Sequence, residues 1–420
     1  MSAAATSTTA PRYHALDSLR AAMMLLGVYI HAVAALSTIP DVWWYRDAAA
    51  GPAFDLQLLA IHTFRMPVFF AMAGFFGALL LERRGWLEFA VNRSKRILLP
   101  LVACLALLIP VLKGLQLAQR LLAKTGTVDL ATFASRYPRM LADFNAGPYW
   151  FLLYLVYFYA LVLVLQPIGC RLLTRRLGGR ARDAFDALAG SARGPLVFAL
   201  VSIPGLLAVP AGVFPAPQGF LPEARILMVY APFVLFGWAL YYRRERLDRF
   251  ASGVWRHLGL GALTMAVTLA ACLVQLNDPT RADAARLVTV AAGAWCVWEM
   301  LFGLLGLFQR HLSGENRWWR YASDSSYWIY LVHSPVLLAV QLIVCRAAWP
   351  GSVKLAATLA VSVPVLFASY HWLVRPTWLG VWLNGRRQPG VRPSTALARR
   401  VVGAAPASHL ADEGRGAAHA

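Results

Sequence analysis

The sequence predicts an all-α integral membrane protein, a polytopic bundle of about ten transmembrane helices with both termini in the cytoplasm. Composition, apolar runs and the placement of basic residues predict it. Of 420 residues, 59% are hydrophobic and 14% charged, and the mean hydropathy is +0.55. Soluble domains run near ~45–50% apolar and ~25% charged, so one water-facing globule cannot hide this much apolar surface. The same composition excludes a disordered chain, a coiled coil and a disulfide scaffold.

Ten apolar runs approach the ~20 residues that a helix needs to cross the hydrocarbon core. They fall near 17–39, 56–81, 97–118, 149–170, 195–213, 224–242, 257–276, 285–308, 322–346 and 354–374. No apolar-poor linker divides them, so 1–374 is read as one membrane domain. Residues 375–420, rich in Ala, Arg, Gly and Pro, read as a disordered polar cytoplasmic tail. With the N-terminus inside, 27 of the 40 Lys and Arg fall on the cytoplasmic side and 11 on the other, with Arg20 and Arg65 in spans. Cytoplasmic loops retain basic residues, which sets the orientation and accounts for the net charge of +20. Scattered over short loops, these charges form no nucleic-acid face. The run after residues 1–12 holds Arg20 and His31, unlike the apolar core of a cleaved signal.

The first run reads LDSLRAAMMLLGVYIHAVAAL. Arg20 and His31 are eleven residues apart, so they return to one helix face about 16 Å apart along the axis. Gly27 shares that stripe. Such a face suits the wall of a polar channel; the bland alternative has Arg20 pairing with Asp17 and His31 stabilising the bundle. In the second run, AIHTFRMPVFFAMAGFF, His62 and Arg65 share a face, and a buried Arg65 needs a carboxylate, a carbonyl or an anion. Gly74 and Gly77 read as sites of close helix contact. Next comes ERRGWLEFAVNRSKRILLP, where Arg93 and Arg96 can form a fork for phosphate at the cytoplasmic mouth; the bland alternative is the ordinary retention of basic residues in cytoplasmic loops. In the eighth run, Glu299 is a lone carboxylate, free to pair with Arg65 or a histidine. In the ninth, SDSSYWIYLVHSPVLL, residues Ser326, Tyr330 and His333 form a polar stripe, and Pro335 is expected to kink the helix.

The five cysteines lie in or beside apolar runs without a CxxC pair and read as packing residues. No Gly-rich phosphate loop, HExxH or GxSxG motif is present, and the histidines lack metal-ligand spacing, so no metal site is expected.

LDSLR…IHA, HTFRMPVFFAMAGFF, NRSKRILLP, GPYWFLLYLV and SSYWIYLVHSP occur in order on successive spans. Together they resemble the membrane-bound acyltransferase-3 family, most closely the members associated with succinylation of periplasmic glucans in Gram-negative bacteria. The resemblance is dense over about 13–170 and again at 320–340. It implies a pore among about ten helices in the bacterial inner membrane. Acyl-CoA, as succinyl-CoA or acetyl-CoA, is implied as the cytoplasmic donor substrate, with no tightly bound cofactor, and an extracytoplasmic glycan as the acceptor.

The family's R-x10-H pair falls on Arg20 and His31, implying a catalytic role; its basic pair falls on Arg93 and Arg96, implying CoA binding. Its aromatic–His element falls on Tyr330 and His333, implying substrate binding. A succinyl group's free carboxylate wants a cation deep in the site, so Arg65 with His62 is expected to bind substrate, and Glu299 is counted with them. Ala73 departs from the Ser-Gly of many members. A histidine can take the proton from an attacking sugar hydroxyl or carry the acyl group itself. The alternatives are O-acetylation of another envelope or secreted glycan and, from another class, a non-enzymatic transporter.

Overall fold

The computed structural model describes residues 12–384 except Asp41 and Leu177, with backbone alone for 166–178 and Asn384. Residues 1–11, the side chain of Cys170 and the expected tail from 385 lie outside it. Among the described residues there is no strand. The helices are α1 (His14–Ala34), α2 (Pro52–Arg93), α3 (Leu99–Thr125), α4 (Leu130–Ala142), α5 (Trp150–Arg176), α6 (Gly178–Ala189) and α7 (Gly194–Leu207). They continue with α8 (Ala224–Tyr241), α9 (Val254–Asn277), α10 (Ala282–Leu312), α11 (Arg317–Val344) and α12 (Gly351–Ser369). The chain through Tyr370 is one compact unit; a second begins at His371 and contains α13 (Trp378–Asn384), inside the segment expected as tail.

Among the described residues, eight helical stretches are long and apolar enough to cross a membrane, nine counting α6 with α7, which meet at a 112° bend. One stretch, Pro52–Thr125, has 74 residues, about 110 Å of helix against a ~30 Å core. It breaks inside α2 at Gly85, whose φ of 75° suits glycine, and so supplies two arms, 52–84 and 86–125. Counted this way, a helix stands at all ten expected positions, but α7 has only 14 residues. At about 21 Å it cannot cross unaided.

α1 packs against α2, α10, α11 and α12, which places Arg20 and His31 on an internal helix. α2 also packs closely on α8: a Cβ at Gly74 would overlap the Val234 carbonyl, and one at Gly237 the Ala71 carbonyl. The expected packing role of Gly74 is met by backbone-to-backbone approach, and Gly77 likewise lies against Tyr159 and Trp238.

Asn316 caps the start of α11: its side chain accepts from the Trp318 and Trp319 amides at 3.0 and 3.2 Å, satisfying two otherwise unpaired N–H groups. It then runs unbroken past Pro335. A proline has no N–H for the carbonyl four residues back; here that carbonyl belongs to Leu331, and the Tyr149 hydroxyl donates to it at 2.9 Å. The proline thus frees an acceptor that fastens α11 to the turn before α5.

Candidate active site

One end of the bundle, where α1, α3 and α9 finish and α2 and α5 begin, encloses a cavity of about 630 Å³. His31, His62 and Arg65 line it, as do Lys113, Gln116 and Arg120 of α3 and Trp43, Trp44 and Trp150.

The His31 ring lies between those of Trp43 and His333, with centroids 5.4 and 5.0 Å away. Neither of its ring nitrogens has a hydrogen-bond partner among the described residues, so both are open to chemistry in the cavity. The other histidines are committed. The His62 Nε2–H donates to the Phe214 carbonyl at 2.7 Å. His333 Nδ1–H donates to the Tyr330 carbonyl at 2.7 Å, and its Nε2 accepts from Ser334 Oγ at 3.3 Å.

Arg65 is 9% exposed, and among the described residues no carboxylate lies within ion-pair distance of it. Its Nε has no hydrogen-bond partner. The guanidinium occupies the space that Gly27 leaves open, since a Cβ there would overlap Arg65 Nη1. A buried cation without a counter-charge is costly, and this one borders the cavity.

Tyr330 does not line the cavity; its hydroxyl donates to the Pro148 carbonyl at 3.0 Å. With the Tyr149–Leu331 bond it pins the turn that contributes Gly147 and Pro148 to the wall. Tyr330 therefore holds that turn in place, while the hydrogen bonds of His333 stay within α11 and its ring lies against His31. Gln341 of α11 reaches the carbonyls of His31 and Ala32 at 3.4 Å, holding the end of α1.

Glu299 lies elsewhere. It accepts from His257 Nδ1–H at 2.6 Å and from Trp295 Nε1 at 2.9 Å, while Arg256 donates to His257 Nε2 at 3.0 Å. Of the expected partners, a histidine rather than Arg65 holds it, because this face of α10 packs on α9. None of these residues lines the cavity.

Arg20, Arg93 and Arg96 sit at the opposite end. Arg20 pairs with Asp17 at 3.1 Å and bonds Ser323 Oγ at 3.0 Å, the pairing given above as its bland reading. Arg93 donates to the Phe76 carbonyl at 3.1 Å and lies over the rings of Phe89 and Tyr159. Arg96 lies in the π-helical turn Ser94–Leu98, and its carbonyl accepts from the Tyr327 hydroxyl at 2.6 Å. At Ala73 the carbonyl is used, accepting from the Tyr159 hydroxyl at 2.9 Å.

Sequence reasoning missed two walls. Lys113, Gln116 and Arg120 recur at i, i+3 and i+7, a stripe visible at the end of the third apolar run. Lys113 is buried and pairs with Asp143 at 2.9 Å. The other wall is the 35–51 loop with Trp43 and Trp44, which no periodicity marks. Two buried carboxylates hold it. Asp55 accepts from Ser37 Oγ at 2.6 Å, the Thr38 amide at 2.7 Å and Thr38 Oγ1. Asp47 pairs with buried Lys354 at 2.6 Å and accepts from Tyr45 at 3.4 Å. Burial, with the Asp47 charge, raises the pKa of Tyr45, which stays a neutral donor.

Lys354→Met leaves Asp47 buried and unpaired and is expected to cost about 3–5 kcal/mol, read as a lower Tm of the purified protein. Asp47→Asn in the same chain should restore most of that. An unchanged Tm in the single variant would mean that Asp55 holds the loop unaided.

The fold and site describe a multi-pass membrane protein with an open histidine and an unpaired guanidinium on one internal cavity. A family model described as an acyltransferase domain matches residues 13–371. The chain belongs to the acyltransferase-3 family and is an acyltransferase. It is similar to the glucans biosynthesis protein C of Salmonella schwarzengrund (strain CVM19633), of Salmonella typhi and of Salmonella typhimurium, each 28% identical over 348 residues. Those alignments cover 79% of this chain and 84% of each relative. No solved structure gives a significant match.

Proposed function

We propose that the protein transfers a succinyl group from cytoplasmic succinyl-CoA to hydroxyls of a glucan on the far side of the bacterial inner membrane. The observation that carries this reading is Arg65, a buried cation without a carboxylate partner beside His31 on one cavity. A succinyl group ends in a free carboxylate that would pair with it; an acetyl group has none. The relatives' name supports a glucan acceptor. The excess of basic residues at the Arg93 end supports placing that end in the cytoplasm and the cavity toward the periplasm.

In the transfer, the glucan oxygen forms an ester bond to the acyl carbonyl and the carbon–sulfur bond breaks. The hydroxyl proton passes to His31 and from it to the departing thiolate. If His31 carries the acyl group first, a ring nitrogen forms an N–acyl bond as the carbon–sulfur bond breaks, and the ring N–H proton leaves with the thiolate; the N–acyl bond then breaks as the glucan oxygen forms its ester bond, and the hydroxyl proton returns to the ring. At the donor end, Arg93 and Arg96 are suited to the CoA phosphates.

The test is mass spectrometry of periplasmic glucans from a deletion strain complemented with the native gene. Restored succinyl increments are expected. Acetyl increments instead would reassign the donor, and an unchanged glucan profile would overturn the acceptor.

A further inference from the structure

We infer that the cavity wall formed by Trp43, Trp44 and Gln116 is the acceptor subsite, built to take an uncharged sugar ring. The inference rests on the acyl-transfer reading above and deepens it. Four rings stand in a row, His333, His31, Trp43 and Trp44, with successive centroids 5.0, 5.4 and 4.1 Å apart. The tryptophans therefore continue the surface on which the open imidazole sits. A pyranose is amphipathic: its C–H face packs on an indole, and its equatorial hydroxyls seek amide partners at the edge. Specific pockets pair an apolar lining with a few placed polar groups in this way.

Gln116 supplies such a group. It lines the cavity, is only 3% exposed, and its Oε1 has no hydrogen-bond partner. A buried acceptor without a donor is unfavourable, and a sugar hydroxyl is a donor of the right kind. The neighbouring cation is neutralised, since Lys113 pairs with Asp143 at 2.9 Å. Arg120 is exposed toward the mouth. A free carboxylate thus finds its cation at Arg65 on α2, and a neutral ring finds the amide and indoles. The anchors of the 35–51 loop, Asp47 and Asp55, fix both tryptophans before any ligand arrives, which lowers the entropic cost of binding. A hydrocarbon chain would use the indoles and leave the amide unpaired.

The test is binding of neutral glucose oligomers (sophorose, laminaritetraose, cellotetraose) to the full chain in lipid nanodiscs, by titration calorimetry. At least one oligomer should bind. Trp44→Ala and Gln116→Leu should each weaken it about tenfold, ~1.4 kcal/mol, and Trp44→Phe should keep most of the affinity. Trp318→Ala, at a tryptophan 83% exposed and outside the cavity, should change nothing. No binding to the native protein, or affinity unmoved in both cavity variants, would overturn the subsite. Binding that follows this pattern without transfer from succinyl-CoA would support the subsite and count against the proposed reaction.

Discussion

His31→Ala is expected to lower acyl transfer by about 10²–10⁴-fold, the range for losing a general acid–base group, in a protein that still folds. Both halves follow from the surroundings of the ring. No hydrogen bond among the described residues is lost with it, and the ring already borders the cavity, so truncation enlarges an existing space. Neither neighbouring imidazole can easily replace it. His62 uses Nε2 on the Phe214 carbonyl, and both nitrogens of His333 are engaged. The measurement is release of CoA thiol from succinyl-CoA by purified variants of matched Tm. A rate within a few-fold of native would remove His31 from the chemistry and point to the free Nδ1 of His62.

Arg65→Met should have the next largest effect, with an unusual pairing of consequences. Losing a desolvated charge-assisted contact to the succinyl carboxylate costs about 1.5–3 kcal/mol, roughly ten- to a hundredfold in rate. Acetyl transfer should fall much less. Stability should hold or rise, because the variant removes a buried cation that has no counter-charge among the described residues. Gly27→Ala tests the same point without touching the arginine. Its Cβ would overlap Arg65 Nη1, the far end of a flexible side chain, so the guanidinium must move while the helices need not. A selective loss of succinyl transfer at unchanged Tm is expected. Equal loss of both acyl groups in both variants would make Arg65 a structural residue.

Much of this was legible in the sequence. Gly27, His31 and Arg65 announced themselves as a gap, an imidazole and a cation inside apolar runs, where ionisable groups are too costly to be incidental. The spacing of Arg20 and His31 put them on one face of an internal helix, at opposite ends. Tyr330 and His333 were legible as a stripe, but the hold of Tyr330 on the turn before α5 was not, since that depends on the Pro148 carbonyl, 182 residues distant. Glu299 was legible as a buried carboxylate in need of a partner, and only its packing on α9 selected His257.

The sequence by itself determined the membrane class, the positions of the ten apolar helices and which residues are too polar for lipid. These follow from local composition and a 3.6-residue period, which the chain carries whether folded or not. The tertiary structure alone decided which polar groups meet. It joined His31 to the loop tryptophans and the α3 stripe, sent Glu299 to a separate pair, and left Arg65 unpaired. Those outcomes depend on which helix faces which and on where two buried carboxylates pin an irregular loop, and periodicity records neither.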